Sequence, residues 1–401
     1  MLNRIRLCIG ILSFVLLAVI VAPRIAARAQ EKDMSHAPAA RPSRVHWRKI
    51  VVNADSDFEA ATAADVNGDG KLDIICGDTW YEAPNWTPHK FREIGAWGKG
   101  PGSSGYRQDF ADIAVDVNGD GKIDVVSSDY ATGEIWWSEN PGSTDQLWTK
   151  HLIAKPGSAE TTVVAPILGK KAFCILPNVG SEVVWYELRK VGKEPQWVEH
   201  VVGKEGAGHG IGYGDVNKDG KTDIITPHGW YENVDALHDK WIWHKDFECQ
   251  PGDLGIGTPT MDFAGTGRND IVFGSGHHYG LYWLHHPDSP TGKWTQETID
   301  ASWSQAHALF LVDVEGTHHP VIVTGKRYLA HDHDPGAQEP MGVFYYSFDR
   351  KSRAWQKFVI DDSGKVGTGL AMTAADMFGT GRQDLICPGK SGLYLFVNEG
   401  K

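Results

Sequence analysis

Asp65–Asp73 reads DVNGDGKLD and runs directly into Ile74-Ile75-Cys76. The Asp, Asn and Gly residues favour a tight turn, and the aliphatics after them suit a short buried strand. The unit returns at Asp116–Asp124 (DVNGDGKID) and Asp215–Asp223 (DVNKDGKTD). Weaker copies stand at Asp262–Asp270 (DFAGTGRND) and Asp376–Asp384 (DMFGTGRQD), and eroded ones at Ala165–Lys171 and Asp313–His319. Successive first aspartates lie 51, 99, 47, 51 and 63 residues apart, which is a period of about 50 with one double step and one insertion.

Two further features share that period. Aromatic strands follow each loop, as in Trp80-Tyr81-Glu82, Trp185-Tyr186-Glu187 and Trp230-Tyr231-Glu232. A closing strand ends each unit: Lys90–Ile94, Trp148–Ile153, Trp197–Val202, Trp241–Phe247, Trp294–Ile299 and Trp355–Ile360. Seven aromatic strands are thus matched by six closers, and the seventh, Trp47–Val52, stands ahead of the first repeat. Repeats of this length, each of four strands, predict an all-β, seven-bladed β-propeller over residues 45–401. The N-terminal strand completes the last blade and removes the open edge.

The 401 residues carry a net charge of −12, and beyond the four arginines of the first 29 residues the charge is near −16. An acidic chain without basic blocks excludes a general nucleic-acid or anionic-membrane binder. Residues 1–29 have the layout of a secretory signal: Arg4 and Arg6, the apolar run Cys8–Ala22, then Ala27-Arg28-Ala29. A retained membrane anchor is the alternative. A secreted or periplasmic protein is expected, with no membrane span after signal removal. Residues 30–44 read as a Pro/Ala-rich linker. The cysteines are widely spaced without a CxxC and read as buried thiols.

The three intact loops place oxygens at positions 1, 3, 5 and 9, with a backbone carbonyl at position 7. These are Asp65, Asn67, Asp69, Asp73 and Lys71; then Asp116, Asn118, Asp120, Asp124 and Lys122; then Asp215, Asn217, Asp219, Asp223 and Lys221. Alternating hard oxygens suit Ca²⁺, at about three structural sites. A metal-free Asx turn is the alternative. An EF-hand is excluded, because its twelfth position, normally Glu, is Cys76, Ser127 or Thr226. In the weak loops Arg268 and Arg382 stand where they can neutralise the remaining aspartates.

These loops resemble the FG-GAP/VCBS repeats of integrin-type propellers. The WYE strands and His-bearing connections also resemble the propeller domain of aldos-2-ulose dehydratase (1,5-anhydrofructose dehydratase). That likeness implies β-elimination on a sugar.

The face opposite the Asp-rich loops carries the chemistry-bearing residues. Six positions before the loops stand Glu59, His209 and His307, with Phe110, Ile256 and Leu370 in other units, and Glu160 aligns with them through the eroded loop at Ala165–Lys171. The turns after the second strands add His228, His277, Lys326 and Arg327, and the sixth unit adds His331 and His333. Blade packing requires none of these polar groups. Imidazoles suit acid–base work or a Zn²⁺ or Mg²⁺ ion, and Arg327 or Lys326 suits an anionic oxygen. His209 or His307 is the expected base, while Glu59, Glu160 and His228 orient substrate or bind metal. Trp230 and Tyr130 are expected to stack on a sugar. His331-Asp332-His333 offers a further metal-gripping pair. The function expected is a carbohydrate lyase or dehydratase. The alternative is a non-catalytic propeller that binds carbohydrate or protein through the same funnel.

Overall fold

The computed structural model describes residues 32–98, 105–144, 146–170, 172–191, 194–287, 292–329, 331 and 333–401. The predicted signal peptide and Asp332 lie outside them. Seven four-stranded antiparallel sheets follow one another as blades, as the repeat count predicts. In blade 1 the strands are Thr62–Ala64, Asp73–Cys76, Thr79–Glu82 and Thr87–Lys90. Its outer strand, Thr87–Lys90, ends where the sequence pattern places the start of the closer, Lys90–Ile94, so that prediction is corrected. The other five predicted closers overlap the outer strands Thr149–Ala154, Glu194–Gly203, Lys240–His244, Thr295–Ser304 and Ala354–Gly364, although Trp241–Phe247 runs three residues beyond its strand.

Trp47–Asn53 pairs antiparallel with Leu393–Asn398, from Trp47 opposite Asn398 to Asn53 opposite Leu393. The first strand of the ring therefore closes blade 7. Second strands are buried on both faces, because each blade packs between two neighbours. Ile74 packs with Ile386 and Leu395 of blade 7, and Ile75 with Val125 of blade 2. Burying such a side chain contributes about 1.5–3 kcal/mol. A continuous aliphatic run, rather than a polar alternation, is the pattern this demands.

The predicted linker is partly ordered structure. Ala40–Pro42 adds a fifth, parallel strand to the edge of blade 6, with Arg41 opposite Phe358, and Asp33 bridges to Ala301. Pro42 fits there because an edge strand tolerates a missing donor. Cys76, Cys174, Cys249 and Cys387 are buried free thiols.

The aromatic third strands pack outward from the ring axis. Trp80 stacks on His89 of the outer strand, Trp137 on His151, Trp185 on His200 and Trp230 on His244, with centroids 3.8 to 4.4 Å apart. Glu82, Glu139 and Glu232 hold three of these histidines at 2.7 to 2.8 Å. Trp230 is thereby a blade-packing residue, so its predicted place beside a sugar is corrected.

Candidate functional site

Each inner strand is preceded by a segment that reaches the ring axis. Glu160 precedes Thr162–Val164, His209 precedes Gly212–Gly214, and His307 precedes Leu309–Val312. His277 enters from the turn between Asp270–Gly274 and Tyr279–His285 of blade 5. The ligand-capable atoms of Glu160, His209, His277 and His307 all lie within 4.8 Å of one another. His209 Nε2 is 2.7 Å from Glu160 Oε2, and His307 Nε2 is 3.8 Å from Glu160 Oε1. Neither imidazole nitrogen makes a hydrogen bond despite being buried. The 2.7 Å approach of His209 Nε2 to Glu160 is a close ion-pair contact.

The other nitrogen of each ring is tied down. His209 Nδ1 lies 3.1 Å from the carbonyl of Leu254, and His307 Nδ1 lies 3.5 Å from that of Gln305. His277 Nδ1 is 3.4 Å from Asp253 Oδ2, and Asp253 is itself held by Ser275 and the His277 backbone N–H. Oxygen partners on Nδ1 leave Nε2 as the lone-pair side, the arrangement that orients metal-ligating histidines. Gly276 leaves the space: a Cβ there would sit 2.6 Å from His209 Cε1 and 3.3 Å from His307 Nε2.

Charge on the axis is balanced by Arg327. Its Nε and Nη2 donate to both oxygens of Glu59 at 2.7 and 3.0 Å, and Nη1 donates to Glu160 at 3.2 Å. Lys390 lies 3.9 Å from Glu59. Burial works against the Glu160 carboxylate, but His209, His307 and Arg327 outweigh it and hold its pKa well below the usual range. Burial and Arg327 push His307 far down, so its ring is neutral. At His209 burial opposes the charge, yet Glu160 outweighs it and the pKa rises.

These groups open into a cavity of about 410 Å³ lined by Glu160, His209, His277, His331 and Arg327. Trp97, Tyr106, Phe110 and Tyr130 add an aromatic part to the lining, with Tyr106 reaching His331. Trp97 stacks between Tyr106 (4.9 Å) and Tyr130 (5.6 Å). Trp97 and Tyr106 come from a hairpin, Ala96–Trp97 with Tyr106–Arg107, that stands outside the blade repeat. Periodicity had no means of finding them. Tyr130 takes its predicted place at the cavity.

Glu59, Glu160, His209, His307 and Arg327 thus meet at the axis. His228 does not: it pairs with Glu248 at 2.5 Å and does not line the cavity. Lys326 turns away to Ser304 and the Gly336 carbonyl, and burial lowers it to about 8. It directly precedes Arg327 in one extended segment, where adjacent side chains point to opposite sides, so only one of the two can face the axis. His331 and His333 also part company. His331 turns inward, its Nδ1 3.0 Å from the Tyr106 hydroxyl and its Nε2 3.1 Å from His277 Nε2, whereas the His333 side chain is 69% exposed.

On the opposite face, each loop that begins with aspartate is folded upon itself by that residue. Asp65 accepts from the backbone of Gly68, Asp69 and Gly70, and Asp262 and Asp376 do the same in the weak copies. Lys71 and Lys122 pair with Asp69 and Asp120 at 2.5 and 2.9 Å. Position 9 has a separate task. Asp124 is buried and accepts from Val117 N at 2.9 Å and Asn140 N at 2.8 Å, clamping the loop to the end of the third strand. Asp73, Asp223 and Asp384 make the same two bonds. Arg382 donates to the carbonyl of Asn398.

No family model and no curated protein matches the chain. Among solved structures it is similar to virginiamycin B lyase from Staphylococcus aureus, with 9% identity, a TM-score of 0.51, and coverage of 88% of this chain and 99% of that one. It is also similar to the exotype rhamnogalacturonan lyase YesX, with 12% identity, a TM-score of 0.46, and coverage of 91% of this chain and 76% of that one. At such identities the likeness shows the fold alone. The resemblances to FG-GAP/VCBS repeats and to aldos-2-ulose dehydratase are not confirmed beyond the shared propeller. No helix among the described residues is long and apolar enough to cross a membrane.

Proposed function

We propose that the protein is a secreted, metal-assisted carbohydrate lyase whose substrate carries a carbonyl or carboxylate next to the proton that is lost. The observation that carries this is the convergence of three Nδ1-anchored histidines and Glu160 on one buried point. Imidazole and carboxylate donors suit a first-row transition ion such as Zn²⁺ better than Mg²⁺, which prefers oxygen. Such a cation would supply Lewis-acid stabilisation of the oxyanion that develops as the α proton passes to water in the open cavity.

The chain's own residues do the rest. Glu160, His209 and His307, with His277 beside them, would hold the cation, which replaces the base role expected for His209 or His307. Arg327 offers the anionic oxygen its remaining N–H groups, since only three of its five are spent on Glu59 and Glu160. Glu59 positions that guanidinium and does not touch substrate. Burial raises the Tyr106 phenol, so it stays protonated and donates to the departing oxygen. Tyr130 and Trp97 supply the flat apolar wall against which a sugar ring stacks. Ca²⁺ at the three intact Asp-rich loops, stiffening the far face, is part of the same proposal.

The test is ultraviolet absorbance during incubation with uronic-acid polysaccharides and keto-sugars, with added Ca²⁺ and Zn²⁺. A conjugated-product band that is absent from a His209→Ala/His307→Ala protein supports the lyase. Sugar binding by calorimetry without any band would instead establish a binding propeller.

A further inference from the structure

The ligand-capable residues of the funnel fall into two sets that share one member. The first is Glu160, His209, His277 and His307, and the second is His277, His331 and Asp334; within each set the ligand atoms lie within 4.8 Å of one another. His277 cannot serve both sets equally. Its Nδ1 is directed to Asp253, which leaves Nε2 as its single outward donor. That Nε2 stands 3.1 Å from His331 Nε2, so the two nitrogens face one another.

The partition that uses every donor once gives two equal halves. Glu160, His209 and His307 form one set of two imidazoles and a carboxylate. Asp334, His277 and His331 form another. Each matches the three-ligand pattern that leaves open positions on a transition metal. The second set has the same supporting features as the first. His331 Nδ1 is fixed by the Tyr106 hydroxyl at 3.0 Å, and His277 Nδ1 by Asp253, so both Nε2 atoms point inward. Asp334 Oδ2 is buried with no hydrogen-bond partner, a costly state that a bound cation relieves. The residues come from two separate turns, after the second strands of blades 5 and 6, so no local turn geometry accounts for their meeting.

We infer that the funnel holds two transition-metal ions side by side, the second bound by His277, His331 and Asp334. This rests on the reading of the first set as a cation site. Paired ions about 3.5–4 Å apart clamp two oxygens of one substrate group. A sugar carboxylate has two such oxygens, so the pair selects a sugar acid over a neutral sugar.

Zinc stoichiometry on the full chain tests the pairing, measured by elemental analysis in a large excess of Ca²⁺ that occupies oxygen-only sites. The expected result is two Zn²⁺ per chain in the wild type and one in Asp334→Ala and His331→Ala, with unchanged circular dichroism. Asp334→Asn serves as the milder variant should truncation unfold blade 6. Mn²⁺-loaded wild type should show an exchange-coupled electron paramagnetic resonance signal that Asp334→Ala loses. One Zn²⁺ in the wild type, kept by Asp334→Ala and lost by His209→Ala, would overturn the second site and leave the first standing. No Zn²⁺ retained by the wild type would overturn both.

Discussion

Asp124 offers a sharp test of how the Asp-rich loops are held. Both of its carboxylate oxygens are engaged by backbone N–H groups, Val117 at 2.9 Å and Asn140 at 2.8 Å, and it is fully buried. Truncation in Asp124→Ala orphans two buried donors at about 1–3 kcal/mol each. The expected loss is therefore about 4 kcal/mol, near the upper end for a single substitution. Asp384 makes the same pair of bonds, to Met377 and Asn398, in a loop that has lost its side-chain oxygens at position 3. Asp384→Ala should thus cost about as much as Asp124→Ala, by the same count of orphaned donors. Thermal and urea unfolding of both variants, each in Ca²⁺ and in EDTA, measures this. The two losses should agree within about 1 kcal/mol and should not depend on Ca²⁺. If EDTA erases the Asp124→Ala deficit while leaving that of Asp384→Ala intact, Asp124 is a calcium ligand and the clamp argument is wrong.

Four other outcomes follow from the same structure. Gly276→Ala places a Cβ 2.6 Å from His209 Cε1, so Zn²⁺ affinity by competition titration should fall about 10- to 100-fold while the melting temperature barely moves. Tyr130→Ala removes exposed stacking surface, and should raise KM about 3- to 10-fold with kcat unchanged. Burial raises Asp124 and Asp223 to about 6 in the native state, above the ordinary carboxylate value of 3.8. Native protein then holds protons that the unfolded chain has released, so this contribution is full below about pH 4 and is lost as pH rises through 6. In EDTA, the deficit of Asp124→Asn/Asp223→Asn relative to wild type should grow as pH falls from 7 to 4; a deficit that shrinks would contradict the burial. The melting temperature should rise with Ca²⁺ and not with equal Mg²⁺, and a flat response would remove calcium from the three loops.

The sequence alone determined the ring. A loop recurring about every 50 residues, aliphatic runs after it and one closer displaced to the other terminus leave little but a seven-bladed closure. It also determined part of the site, because a fixed offset from each loop names a fixed place on the axis: Glu59, His209 and His307 were legible by counting back six residues, and Glu160 by aligning the eroded loop with the others. Counting fails where the chain leaves the repeat. Trp97 and Tyr106 belong to an inserted hairpin, and His331 and Asp334 to the long connection of blade 6. Their positions depend on how those segments fold over the funnel, which no period encodes. Direction was equally out of reach. Arg327 and Lys326 are neighbours in sequence, yet one joins Glu59 and Glu160 while the other joins Ser304. Only packing around the axis decided which face each took, and with it which histidines share a point and which, like His228, remain at the rim.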